Sequence, residues 1–74
     1  MPKLEMKAEV TGAVWKVLKV QGDAIDEGDT VLIFESMKME IPLIAEDAGR
    51  IVEIRVAEGQ PVSEGDTVVV LELE

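Results

Sequence analysis

The sequence EGDTV at residues 27–31 decides the fold, because it returns unchanged at residues 64–68. With this offset of 37 residues all six glycines fall into register: Gly12 with Gly49, Gly22 with Gly59, and Gly28 with Gly65. Glycine marks backbone positions that tolerate no side chain, so the register indicates one backbone unit made twice, with these glycines in its turns. We therefore predict a single domain over residues 1–74 with an internal repeat, 8–37 and 45–74.

Each copy of the repeat has the pattern of β-strands. Apolar and charged residues alternate from Val52 to Val56, and in the first copy Trp15 and Val17 flank Lys16, which predicts strands with one buried face. The runs 31–34 and 68–71 are short, apolar and rich in β-branched residues, as in buried strands. Glycine turns at regular spacing separate these segments, so the sequence predicts an all-β sandwich or flattened barrel.

Two such half-units each have an apolar face that they cannot bury alone. Packing the two faces together about a pseudo-two-fold axis would bury both. This arrangement predicts that the link between the copies lies at one end of the molecule and the two chain ends at the other.

The composition excludes several classes of function. The 74 residues include no cysteine and no histidine, which removes disulfides, thiolate metal sites, a cysteine nucleophile and the commonest general base. Sixteen acidic against seven basic residues give a net charge of −9, which disfavours nucleic acid and anionic membranes as partners. Residues 1–7 have no apolar signal segment, so we expect a cytoplasmic protein.

The link between the two copies has the sequence ESMKME, residues 35–40, between the apolar runs 31–34 and 41–44. The link is too short for a helix, so we predict a hairpin with Lys38 at its turn and its amine in solvent. Met37 and Met39 cannot both be buried there. An exposed lysine is usually only a solvated charge, and the pattern alone leaves that interpretation open.

The ESMKME string resembles the attachment site of biotinyl domains, the carboxyl-carrier modules of biotin-dependent enzymes. Their signature is a lysine between two methionines with a glutamate three residues before it, and Glu35, Met37, Lys38 and Met39 stand at those positions. The resemblance covers nearly the whole chain and is closest to small free-standing biotin/lipoyl attachment proteins. It implies two four-stranded sheets of the hammerhead type, without the thumb found in some bacterial carriers.

The resemblance also implies a function. Biotin protein ligase would join biotin to Lys38 as an amide, with Glu35, Met37 and Met39 as recognition residues for the ligase and other partners. The carrier would then move carboxyl groups between a biotin carboxylase site and a carboxyltransferase site. The chain itself would not be an enzyme, with no catalytic residue and no metal, and it is expected to be a monomer when isolated.

Two other interpretations remain. Lipoyl domains share the fold and the hairpin lysine, but usually have an aspartate before that lysine and a small residue after it. The alternatives are therefore a lipoyl carrier domain, with lipoate as a swinging arm, or a chain that accepts both biotin and lipoate. A non-modified structural module, as in membrane-fusion proteins, has no reason to keep a lysine between methionines. The chain also departs from the family that it resembles, because Ala8-Glu9 and Ala45-Glu46 stand where biotinyl domains commonly have Ala-Pro. Without these prolines, the two bends are expected to be less stiff.

Overall fold

The computed structural model describes residues 2–73, and within them the chain forms eight β-strands and no helix. The strands are β1 (Lys3–Lys7), β2 (Gly12–Val17), β3 (Ala24–Ile25), β4 (Thr30–Ser36), β5 (Met39–Ile44), β6 (Gly49–Ile54), β7 (Pro61–Val62) and β8 (Thr67–Leu73). No segment of this part of the chain is therefore a helix long and apolar enough to cross a membrane. The predicted domain and its second repeat also include Met1 and Glu74, which lie outside the described residues.

The strands form two antiparallel four-stranded sheets, which confirms the predicted fold class. One sheet has the order β5-β4-β2-β7 and is called the hairpin sheet below; the other has the order β1-β8-β6-β3 and is called the opposite sheet. Strands β1 to β4 recur as β5 to β8 at the offset of 37 residues, with bounds that agree within one residue. Each sheet takes two strands from each copy, so neither copy can complete a sheet without the other.

The core is as symmetric as the backbone. Of the fifteen buried apolar residues in the described part of the chain, all but Val70 form seven pairs at the repeat offset: Met6 with Leu43, Ala8 with Ala45, Val14 with Ile51, Ile25 with Val62, Val31 with Val68, Leu32 with Val69, and Phe34 with Leu71. Both copies thus contribute equally to the apolar burial that drives folding. The buried runs in β4 and β8 agree with the strands predicted for residues 31–34 and 68–71.

The predicted alternation holds for Val17, Ile54 and Val56, which pack against the core, but it fails at Trp15. Val14 and Ile51 are the buried residues, whereas Trp15, expected to face the core, is 40% exposed. The reason is a register shift at the same place in each copy, between Val14 and Lys16 and between Ile51 and Glu53. A β-bulge adds one residue to a strand and so breaks the two-residue period on which the prediction rested.

The six glycines serve two different purposes. Gly22, Gly28, Gly59 and Gly65 lie in turns with φ between 87° and 96°, a conformation that side chains disfavour. Gly12 and Gly49 are not turn residues, contrary to the prediction, because they begin β2 and β6. A Cβ at these two positions would collide with the backbone carbonyl oxygens of Glu35 and Glu72, respectively, so glycine there permits close approach of neighbouring strands.

The bends after β1 and β5 are held by backbone hydrogen bonds. The Ala8 amide donates to the Asp66 carbonyl and its carbonyl accepts from the Gly65 amide, both at 2.8 Å. Ala45 makes the equivalent bonds in the other copy, with Asp29 at 2.9 Å and Gly28 at 2.8 Å. Since both alanines are also buried, these bends are fixed without the proline common in the family.

The hairpin lies at one end of the described molecule, and Pro2 and Leu73 lie at the other. Thr11 contacts both the hairpin base and the segment before β8, since its carbonyl accepts from Ser36 Oγ at 2.9 Å and its Oγ1 accepts from the Glu64 amide at 3.1 Å. Strand β8 starts beside this point and runs away for seven residues, about 20 Å at the usual rise per residue. At its far end the Leu73 amide donates to the Pro2 carbonyl at 2.8 Å.

Candidate functional site

Strands β4 and β5 are joined by the shortest common hairpin turn. Ser36 pairs with Met39, and the two residues between them, Met37 and Lys38, have φ of 52° and 64°. Positive φ at both central positions is the feature of a type I′ turn, which usually contains asparagine, aspartate or glycine. Two long side chains in this conformation cost on the order of 1–2 kcal/mol each. Such strain is typical of functional sites, where the side chain matters more than the local backbone preference.

The base of the hairpin is fixed to β2. The Ser36 hydroxyl donates to the carbonyl of Thr11 at 2.9 Å, just before β2 begins. One residue further along, Gly12 allows the backbone of β2 to pass close to Glu35. Sequence reasoning did not identify Ser36 or Thr11 as supports, since neither belongs to the recognised signature. Together these contacts hold the turn on a rigid sheet while leaving its tip free.

The tip of the hairpin is fully open to solvent. Lys38 is exposed, and its neighbours Met37 and Met39 are 92% and 64% exposed. The one ion pair within residues 2–73 joins Arg55 to Glu53, so it does not involve the Lys38 amine. The structure thus presents a free primary amine between two apolar side chains, and it brings together the four predicted site residues Glu35, Met37, Lys38 and Met39.

Two carboxylates lie directly below the tip. Glu35 on β4 pairs with Glu40 on β5, and both side chains are exposed. Like charges opposite one another destabilise a sheet, so this arrangement weakens the hairpin. The sequence analysis assigned a role to Glu35 but missed Glu40. The near-mirror symmetry of the ESMKME string could have identified Glu40, because a two-residue hairpin places the two glutamates opposite each other.

The residues at the tip fit covalent attachment of a carboxylic acid cofactor. An amide needs a primary amine that an enzyme can reach, and Lys38 supplies one on a long, flexible side chain. Acylation removes the positive charge of the amine, and no described acidic residue depends on that charge through an ion pair. Attachment would therefore leave the interactions of the scaffold unchanged.

Comparison with known proteins agrees with this geometry. The biotinylated protein TB7.3 of Mycobacterium tuberculosis is 49% identical over 41 residues, which cover 55% of this chain and 58% of that protein. The biotin/lipoyl attachment protein of Bacillus subtilis is 44% identical over 43 residues, which cover 58% of this chain and 59% of that one. The matched part thus spans just over half the length of these curated relatives.

Solved structures extend the similarity to the complete fold. A region of the urea carboxylase of Kluyveromyces lactis superposes with a TM-score of 0.90 and 33% identity, covering 97% of this chain and 6% of that much larger one. The family model described as biotin-requiring enzyme, the biotin/lipoyl family, matches residues 3–71. Because this match covers almost the entire chain, the protein belongs to the biotin/lipoyl family.

Proposed function

We propose that this chain is a biotin carboxyl carrier in which Lys38 holds biotin through an amide bond. The observation that carries the proposal is the exposed lysine at the tip of a two-residue turn, between two exposed methionines, in a chain of the biotin/lipoyl family. The name of the mycobacterial relative states that it is biotinylated, which supports the same cofactor here.

The attachment step needs an activated acid and an external base. Only a neutral amine is a nucleophile, so the ligase must provide the base that accepts the proton lost from Nζ. The freed amine attacks the acyl carbon of biotinyl-adenylate, the new C–N bond forms, and the bond to the phosphate oxygen breaks, which releases AMP. The contribution of this chain is to place Nζ where the ligase can reach it.

The carrier role follows from the position of the hairpin. Bound biotin supplies a ring nitrogen that can accept and donate a carboxyl group. The rigid base at Ser36 and Glu35 fixes where the arm starts, and the open tip lets the arm enter a biotin carboxylase site and a carboxyltransferase site in turn. Tethering raises the effective concentration of the group at both sites, so the chain acts as a subunit of a carboxylase system and not as an enzyme by itself.

The placement of the chain ends supports the same role. Pro2 and Leu73, the first and last described residues, meet at the far end of β8, a strand about 20 Å long that starts beside the hairpin base. Any attachment of the carrier to a larger assembly through these ends would leave the hairpin unobstructed. We propose that the isolated chain is a monomer that meets its partner enzymes through the hairpin end.

The proposal is tested by incubating the purified chain with biotin protein ligase, biotin and ATP. Intact-mass measurement should show one added biotinyl group, and peptide mapping should locate it on Lys38. Lys38→Arg should abolish labelling completely while leaving the melting temperature unchanged, because only an exposed side chain is altered. Lys16→Arg, another exposed lysine, is the matched control and should label normally. Labelling that persists in Lys38→Arg would refute the assignment.

Lipoate is the second candidate, because one relative carries the name biotin/lipoyl attachment protein. The methionines on both sides of Lys38 favour biotin, since lipoyl domains usually have an aspartate and a small residue there. Mass spectrometry of the chain from its native host distinguishes the two cofactors by the mass of the group on Lys38. A lipoyl group there, in the absence of a biotinyl group, would replace the biotin proposal.

A further inference from the structure

The sulfur atoms of this chain are divided between the core and the attachment site. The sequence has no cysteine, so its four methionines hold all of its sulfur. Met6 is 7% exposed and packs in the core, whereas Met37 and Met39 are 92% and 64% exposed. Met1 lies outside the described residues. Among the described residues, the two sulfur atoms open to oxidants are therefore those that flank Lys38.

We propose that Met37 and Met39 form a paired, reversible oxidation site that controls the acylation of Lys38. This inference rests on the proposed function, because it concerns the approach of the ligase to the same amine. The oxidant is a peroxide. The thioether sulfur attacks one oxygen of hydrogen peroxide, so an S–O bond forms and the O–O bond breaks, and the departing hydroxide takes the proton of the sulfur-bound hydroxyl to become water. Sulfur loses two electrons as the sulfoxide forms, and the peroxide is reduced.

The chemical change occurs on the two exposed apolar side chains that a partner meets when it approaches Lys38. The tip offers only two apolar side chains beside the amine, and the residues below it are Glu35 and Glu40. Oxidation converts each thioether into a polar, chiral sulfoxide. An apolar surface on the ligase would then bury a polar group without a hydrogen-bond partner, which is unfavourable. The two modified residues are sequence neighbours of Lys38, so the effect falls on the step that acylates it.

The fold itself should be insensitive to this change. Met37 contributes almost no buried surface, and Met39 is mostly exposed, so their oxidation removes little packing. Met6, whose oxidation would disrupt the core, is protected by burial. Sulfoxide is also reversible, since methionine sulfoxide reductases of two kinds each reduce one of its epimers. The location of the sulfur atoms therefore allows acylation to be switched without unfolding.

The test treats the unacylated full-length chain with hydrogen peroxide and then measures acylation by biotin protein ligase. Peptide mapping should find one added oxygen on Met37 and one on Met39, while Met6 stays reduced. The acylation rate should fall about tenfold, which corresponds to roughly 1.4 kcal/mol. Reduction by the two sulfoxide reductases should restore the rate, and the melting temperature should stay the same throughout.

The matched control is the double variant Met37→Leu, Met39→Leu, which keeps two apolar side chains but cannot be oxidised at the tip. Its acylation rate should be the same before and after peroxide. Equal rates for the oxidised and untreated natural chain would overturn the inference and leave the proposed function intact. A rate that falls equally in the double variant would also overturn it, since another residue would then be responsible. Absence of acylation in the untreated chain would instead overturn the proposed function and this inference with it.

Discussion

The hairpin sheet and the opposite sheet have the same backbone but different outer surfaces. In the hairpin sheet the strand register places Lys16, Ile33 and Pro42 side by side across β2, β4 and β5. At the repeat-related positions of the opposite sheet the register places Glu53, Val70 and Glu5 across β6, β8 and β1. A proline in the first row thus corresponds to a charged glutamate in the second.

The exposed apolar side chains sharpen this difference. Within residues 2–73, the six large ones all lie on the hairpin sheet, in its turn or in the loop that follows β2: Trp15, Leu18, Val20, Met37, Met39 and Ile44. Their counterparts in the opposite sheet include Val52, Arg55 and Lys7, of which the last two are charged. Duplication therefore explains the core and the turns, whereas the surface has diverged. The sheet that presents Lys38 is therefore also the one with the more apolar surface.

The substitutions with the largest expected effect test whether the two halves contribute equally to the stability of the fold. Gly12→Val and Gly49→Val each place a side chain against a backbone carbonyl of the neighbouring strand. Since that backbone cannot move without disturbing the sheet, each substitution should cost about 4 kcal/mol or more, among the largest effects of single mutations. Urea denaturation of both variants measures this. A large loss in one variant and a small loss in the other would show that the halves are not equivalent.

A smaller effect is expected at the turn glycines. Gly28 and Gly65 both have φ of 93°, but no atom lies within 4 Å of a Cβ built on either. Gly28→Ala and Gly65→Ala should therefore cost only the conformational penalty, about 1–2 kcal/mol each. The same urea measurement checks this. Losses as large as those at Gly12 and Gly49 would mean that the turns, and not the close strand approach, limit stability.

The sequence was sufficient to predict features that depend on the repeat or on local turn chemistry. The all-β class, the hairpin and the exposed tip follow from the glycine register and from the short link around Lys38. The exposure of Trp15 was not predictable, because no fixed residue type marks a bulge in a sequence. The roles of Gly12 and Glu40 also escaped prediction, since both depend on which residue of another strand lies opposite.

The smallest expected effect concerns the ion pair between Arg55 and Glu53. The repeat-related residue of Glu53 in the hairpin sheet is Lys16, whose Nζ lies 5.7 Å from the centre of the Trp15 ring. Arg55 Nε contacts Glu53 Oε1 at 2.9 Å, but the two side chains are 45% and 52% exposed, so solvent and salt screen the pair. Glu53→Gln should therefore leave the melting temperature unchanged within error, and Lys16→Gln is its matched control in the hairpin sheet.

The pH dependence of the pair has a definite sign. The hydrogen bond and the charge of Glu53 raise the pKa of Arg55 above its ordinary value. A raised folded-state pKa gives stability that is complete below the unfolded pKa and is lost only as the pH rises through the folded one, which for arginine lies far above neutrality. Thermal melts of the natural chain and Glu53→Gln should thus run parallel on both sides of neutral pH. Curves that diverge as the pH rises through neutrality would show that another group, with a lower pKa, depends on Glu53.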